Sequence, residues 1–199
     1  SKSVPLAQTR SRFEQDYDRI IFSHPFRKLQ DKTQVFPMPE DDFVHSRLTH
    51  SLEVSSVGRS LAKEVGKIIL SNNEALRASG IKYQDFGDVV SAACLAHDLG
   101  NPPFGHSGEQ SISSFFLNTE QGRFFESKVE PAEWSDLINF EGNAQGFRIL
   151  TNPNHGGLSL TYSTLATFTK YPLSSASKKV PARQSQHKYG FFNDNFTYF

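Results

Sequence analysis

At 199 residues, with 37% apolar and 21% charged residues, the chain is sized for one domain with a sizeable core and is short for two. No run approaches the ~18 apolar residues of a membrane helix, the opening Ser1-Lys2-Ser3-Val4-Pro5 lacks the apolar core of a secretory signal, and a single cysteine, Cys94, excludes an internal disulfide framework. A formal net charge of zero leaves any grip on a polyanion to a local cluster, and a cytoplasmic location is expected.

In chain order, Thr33-Gln34-Val35-Phe36 before Pro37 is the stretch where a brief strand pairing is expected. From Ser46 to Leu70, His50, Val54, Val57, Leu61, Val65 and Ile68 recur at spacings of four and three, which stacks them on one face of a helix. From Phe86 to His97 the same rule aligns Phe86, Val90, Ala93 and His97. Gly100 and Pro102-Pro103 end that helix, because glycine suits a left-handed cap and proline cannot continue the ladder. Cys94 lies within its apolar run and reads as a buried, inert thiol. A third helix is expected after Ser107, with Ser107 and Gln110 as a capping box ahead of Ile112, Phe115 and Phe116. Two more follow, over Asn139–Leu150 and Ser159–Thr169. Residues 118–137 lack a period and read as a linker or long loop. Residues 174–190 carry Lys178, Lys179, Arg183 and Lys188 with no carboxylate, a basic loop that is either solvated or a flap over phosphate or nucleic acid.

His50 heads the first apolar stripe, and His97 closes the second helix with Asp98 beside it. An imidazole on an apolar face needs a partner, since burying it unpaired costs on the order of 1–3 kcal/mol. Two such rings and a neighbouring carboxylate point to a shared divalent cation, Mg²⁺, Mn²⁺ or Fe²⁺ by donor type.

The residues around these positions carry a resemblance. Ala96-His97-Asp98-Leu99-Gly100-Asn101-Pro102-Pro103-Phe104-Gly105-His106-Ser107-Gly108-Glu109 resembles the HD motif and following loop of the dGTP triphosphohydrolase family. Arg47-Leu48-Thr49-His50-Ser51-Leu52-Glu53-Val54 resembles that family's first metal-ligand helix, and residues 12–20, 26–35, 139–145 and 164–172 are similar in order. The resemblance implies an all-α, HD-domain helical bundle, with residues 1–199 as a single HD domain incomplete on its C-terminal side. It implies metal-dependent hydrolysis of a dNTP, dGTP favoured, to deoxynucleoside and intact triphosphate, and assembly into a homo-oligomer.

Carried over by position, His50, His97 and Asp98 are the metal ligands. The family's fourth ligand, an aspartate, follows the Lys188–Phe192 region at some distance, and Asp194 is the only nearby candidate. His106 and Glu109 match the family's catalytic histidine and its acidic partner. At a helix start the dipole disfavours imidazolium, and a carboxylate in the first turn restores it. Lys170 and Tyr171 match phosphate and sugar contacts, Asn143 a substrate contact, and Gln34 a bond to the sugar 3′-hydroxyl. Arg47, three residues before His50, is placed to fork onto phosphate oxygens. His24, His45, His155 and His187 read as structural or surface residues. Two other functions fit the same motifs: an HD-type nucleotide phosphodiesterase, and a catalytically silent module that binds dNTP or single-stranded nucleic acid.

Overall fold

The computed structural model describes residues 10–34, 45–152, 157–175, 188–193 and 195. Val35, Phe36, His155, Lys178, Lys179, Arg183, His187 and Asp194 lie outside them. Among the described residues the fold is all-α: α1 (Arg12–Ile21), α2 (His24–Arg27) running into a 3-10 turn, α3 (Arg47–Ser71), α4 (Glu74–Ala78), α5 (Tyr83–Ala96), α6 (His106–Asn118), α7 (Glu120–Arg123), α8 (Pro131–Ile138), α9 (Gly142–Thr151) and α10 (Tyr162–Phe168). No helix among them is long and apolar enough to cross a membrane. The expected strand pairing shrinks to one antiparallel bridge, Thr33 with Ser46.

Helix α5 is central, with α3, α1 and α10 packed around it. Its Ala92, Leu95 and Ala96 join Ile20, Phe26, Leu29, Leu99 and Leu150 in the main core. The α3–α5 contact uses small residues. A Cβ on Gly58 would lie 2.8 Å from Cys94 Sγ, and one on Gly66 would lie 2.9 Å from the Phe86 ring. Ser55 Oγ lies 2.8 Å from Ser91 Oγ in the same seam, and both serines are buried. The helices therefore approach closely along a face of serine and glycine, since the side chains at a crossing set its spacing.

That geometry corrects the reading of α3. Its apolar stripe faces outward: Val57, Leu61, Val65 and Ile68 are 60, 63, 51 and 60% exposed. Periodicity identified the helix, but the packed face is the small one, because close backbone approach outweighed side-chain apolarity here. Two other expectations change. Residues 118–137 hold α7 and most of α8 rather than an extended loop. Helix α6 begins two residues early, with Gly105 at the N-cap and no side-chain cap bond. Ser107 thus falls inside the first turn and does not cap it.

Asp16, on α1, is fully buried and ties α1 to the start of α10. It accepts bonds from Thr161 N (2.9 Å), Thr161 Oγ1 (2.7 Å) and Thr164 Oγ1 (2.8 Å), and from Arg19 Nη1 (3.1 Å). Asp16→Ala leaves these donors facing a void and is expected to cost about 3 kcal/mol in urea unfolding; a midpoint equal to wild type would refute the bridge.

Asp88 on α5 has its carboxyl pushed above the ordinary range, by burial first and by the Glu14 carboxylate second. A raised folded-state pKa means that the fold holds this proton more tightly than the unfolded chain does. The ionised form therefore costs stability above that range, and the cost vanishes below the unfolded carboxylate range. Asp88→Asn is expected to stabilise at pH 7, by less than about 1 kcal/mol because the group is partly solvated, with the gain fading toward pH ~4. Thermal melts at both pH values check this, and a gain that grows on acidification would contradict it.

Candidate active site

His97 is the C-cap of α5, where the helical path ends and the chain turns through Asp98, Leu99 and Gly100. Its Nδ1 lies 2.7 Å from the carbonyl of Cys94. A carbonyl only accepts, so Nδ1 carries the proton and Nε2 presents its lone pair. The ring of His50, in the first turn of α3, stands edge-to-face with His97 at 5.2 Å between centroids. His50, His97 and Asp98 each offer a ligand atom, and these atoms lie within 4.8 Å of one another. The pKa of His50 is lowered, by burial first and by His97 next, which favours the neutral imidazole that a metal requires. Two imidazole nitrogens and a carboxylate oxygen, converging with free lone pairs, suit a divalent cation of borderline-to-hard character.

Asp98 is held from two sides. Arg47 Nη1 donates to Oδ2 at 2.9 Å and Asn101 Nδ2 donates to Oδ1 at 2.5 Å. The Arg47–Asp98 pair is buried, and Arg47 Nε lies buried without an acceptor. The guanidinium thus turns onto the Asp98 carboxylate, and Arg47 is not among the residues that line the neighbouring cleft. Lys32 sits behind, donating to the Asn101 carbonyl at 2.8 Å. Its ammonium pKa is lowered by burial first and by Arg47 second.

The turn after Pro102-Pro103 is unusual. Phe104 and Gly105 both take positive φ, 64° and 54°, a conformation that glycine tolerates and phenylalanine rarely adopts. It delivers His106 as the first residue of α6. His106 Nδ1 lies 2.8 Å from Glu109 Oε2, while the imidazole is 77% exposed. Glu109 is buried, and its Oε1 accepts the Gly142 N–H at 2.9 Å. The pair therefore rests on α6 and α9 together.

A cleft of about 630 Å³ joins these groups: His97, Asp98, Asn101, His106, Asn143, Lys170, Tyr171 and Lys188 all line it. Val90 and Ala93, from the predicted face of α5, line it too. Gln34 is not among the lining residues, and its Oε1 is buried without a partner. Asn143 Nδ2 donates to Glu141 Oε1 at 2.6 Å, and Lys188 Nζ reaches the same oxygen at 3.3 Å. Lys170 Nζ stands 5.4 Å from the centroid of the Tyr171 ring. Sequence reasoning read Lys188 only as part of a basic loop, either solvated or a flap over phosphate or nucleic acid, and assigned no role to Glu141, Asn101 or Lys32, since their placement depends on contacts between distant segments. It also passed over His45, whose ring lies 6.1 Å from that of His50. Cys94 lines the cleft half-buried, its thiol pushed up by burial, which fits an inert group.

The loop that follows α5 meets α9 through glycines. A Cβ on Gly100 would fall 1.9 Å from the Gly142 carbonyl and 2.1 Å from the Gly146 nitrogen. Backbone cannot yield as a side-chain tip does, so Gly100→Ala is expected to cost roughly 3 kcal/mol or more and to weaken metal binding with it. Calorimetric unfolding and metal titration check both; wild-type values would refute the close contact.

Residues 47–141 match the HD domain family model. Over 192 residues the chain is 50% identical to a protein of Synechocystis sp. named deoxyguanosinetriphosphate triphosphohydrolase-like, covering 92% of this chain and 43% of that one. A protein of the same name from Pseudomonas aeruginosa is 49% identical over 187 residues, covering 92% and 41%. The deoxyguanosinetriphosphate triphosphohydrolase of Serratia proteamaculans is 37% identical over 183 residues, covering 80% and 36%. The chain thus spans less than half the length of these relatives.

Proposed function

Residues 47–141 of this chain belong to the HD-domain family, and on that premise we propose that it forms the nucleotide-binding part of a metal-dependent dNTP triphosphohydrolase. The observation that carries this is the shared cleft, which sets the His106–Glu109 pair beside His97 and Asp98. His50, His97 and Asp98 hold the cation, Mg²⁺, Mn²⁺ or Fe²⁺. When bound, it supplies Lewis acidity at a phosphate oxygen and lowers the pKa of water.

The substrate is a deoxynucleoside triphosphate, dGTP favoured by the relatives' names. Water attacks the α-phosphorus, the bond to O5′ breaks, and deoxynucleoside and tripolyphosphate leave. His106 serves as proton donor. Its Nδ1–H is fixed on Glu109, so the proton on Nε2 is free to pass to the departing O5′. Lys170 and Lys188 supply cationic ends to the triphosphate, with Tyr171 and Asn143 as further contacts. Arg47 holds the ligand carboxylate. Gln34 keeps the sugar-contact role only where the substrate reaches its unpaired Oε1.

Among the described residues three groups converge on the cation position, which also fits a silent dNTP-binding module. Product analysis separates the alternatives. The full-length protein, given dGTP and Mn²⁺, is expected to release deoxyguanosine and tripolyphosphate. Deoxyguanosine monophosphate with pyrophosphate would replace this reading with a phosphodiesterase, and binding without turnover would replace it with the silent module.

A further inference from the structure

Three imidazoles stand in a row at the start of α3. The His50 ring is edge-to-face with His97 at 5.2 Å and with His45 at 6.1 Å. A carboxylate closes each end of the row. Asp98 Oδ1 lies 3.5 Å from His97 Nε2, and Glu53 Oε2 lies 3.3 Å from His45 Nε2.

We infer that the outer half of this row, His45, His50 and Glu53, is a second divalent-cation site that shares His50 with the inner one. The three residues each offer a ligand atom, and those atoms lie within 4.8 Å of one another, the same closeness as in the inner group. The local chain builds the arrangement. His50 and Glu53 are one turn apart on α3, so their side chains project from the same face. His45 precedes Ser46, the N-cap of α3, and is anchored where its carbonyl accepts the Gln34 N–H at 3.0 Å.

Two imidazole nitrogens and one carboxylate suit Zn²⁺, Co²⁺ or Ni²⁺ better than Ca²⁺ or Mg²⁺, which take mostly oxygen ligands. The inner site has the same donor count but lies deeper, on the buried Asp98, whereas the Glu53 side chain is 65% exposed. A neutral imidazole has one lone pair, so His50 serves the inner or the outer ion and not both. The two positions therefore compete. An excess of a strongly binding borderline metal draws His50 outward and leaves the inner pair, His97 and Asp98, one ligand short.

Zn²⁺ titration of the tag-free chain by calorimetry tests this without reference to turnover, so its failure leaves the hydrolase reading untouched. With the inner site removed by His97→Ala and Asp98→Asn, the chain is expected still to bind one Zn²⁺. Adding His45→Ala and Glu53→Gln is expected to weaken that binding by at least the roughly 10–100-fold that even an outer-shell partner contributes. An inner-depleted chain that binds no Zn²⁺, or binds it equally without His45 and Glu53, overturns the proposal and leaves a plain His–Glu ion pair. Circular dichroism checks folding. Should the Asp98 change unfold the chain, His97→Ala alone takes its place. In the otherwise wild-type chain, where the two positions compete for His50, His45→Ala with Glu53→Gln is expected to remove the outer binding mode and so to change the Zn²⁺ isotherm; an unchanged isotherm there is equally fatal.

Discussion

His106→Ala is expected to lower kcat for tripolyphosphate release by roughly 10²–10⁴-fold, the usual worth of a positioned general acid, while metal content stays at the wild-type level. The expectation follows from where the side chain sits. It touches Glu109 and faces the cleft, and most of its surface is open to water. Truncating so exposed a group leaves no cavity, but it takes one partner from the buried Glu109 carboxylate, whose other oxygen keeps the Gly142 N–H, at a cost of about 1–3 kcal/mol. Unfolding measured on the same samples separates that cost from the loss of turnover. Glu109→Gln should fall between wild type and His106→Ala, because an amide oxygen still accepts the Nδ1–H but holds the ring less firmly than a carboxylate does. Steady-state kinetics on the full-length protein, with metal analysis of the same samples, checks both. Full activity in His106→Ala would end its assignment as proton donor.

Asp98→Ala is expected to remove the bound metal and to destabilise the fold at once. The carboxylate has two duties: it offers an oxygen to the cation position and neutralises a buried guanidinium, Arg47. Removing one partner of a buried pair leaves an uncompensated charge and costs about 3–5 kcal/mol. For a chain of this length that corresponds to roughly 10 °C in Tm. Asp98→Asn separates the duties in part, since its amide oxygen still accepts from Arg47 but carries no charge for a metal. It should recover some stability and little metal. Differential scanning calorimetry and metal analysis read the two effects independently. If Asp98→Ala kept both its metal and its Tm, the inner site would have to be placed elsewhere.

The sequence alone determined the kind of fold and most of the residues that gather at the cleft. Period and punctuation located the long helices, and spacing marked His50, His97 and Asp98, because helical repeats and local motifs are written in neighbouring residues. Tertiary structure decided which faces pack and which groups pair. It turned the Val57-Leu61-Val65-Ile68 stripe outward and seated α3 on α5 through serine and glycine, because backbone proximity depends on both partners at a crossing. It paired Arg47 with Asp98 and brought Lys188 to the cleft. Each of these rests on a contact between segments far apart in the chain, and no local pattern records such a contact.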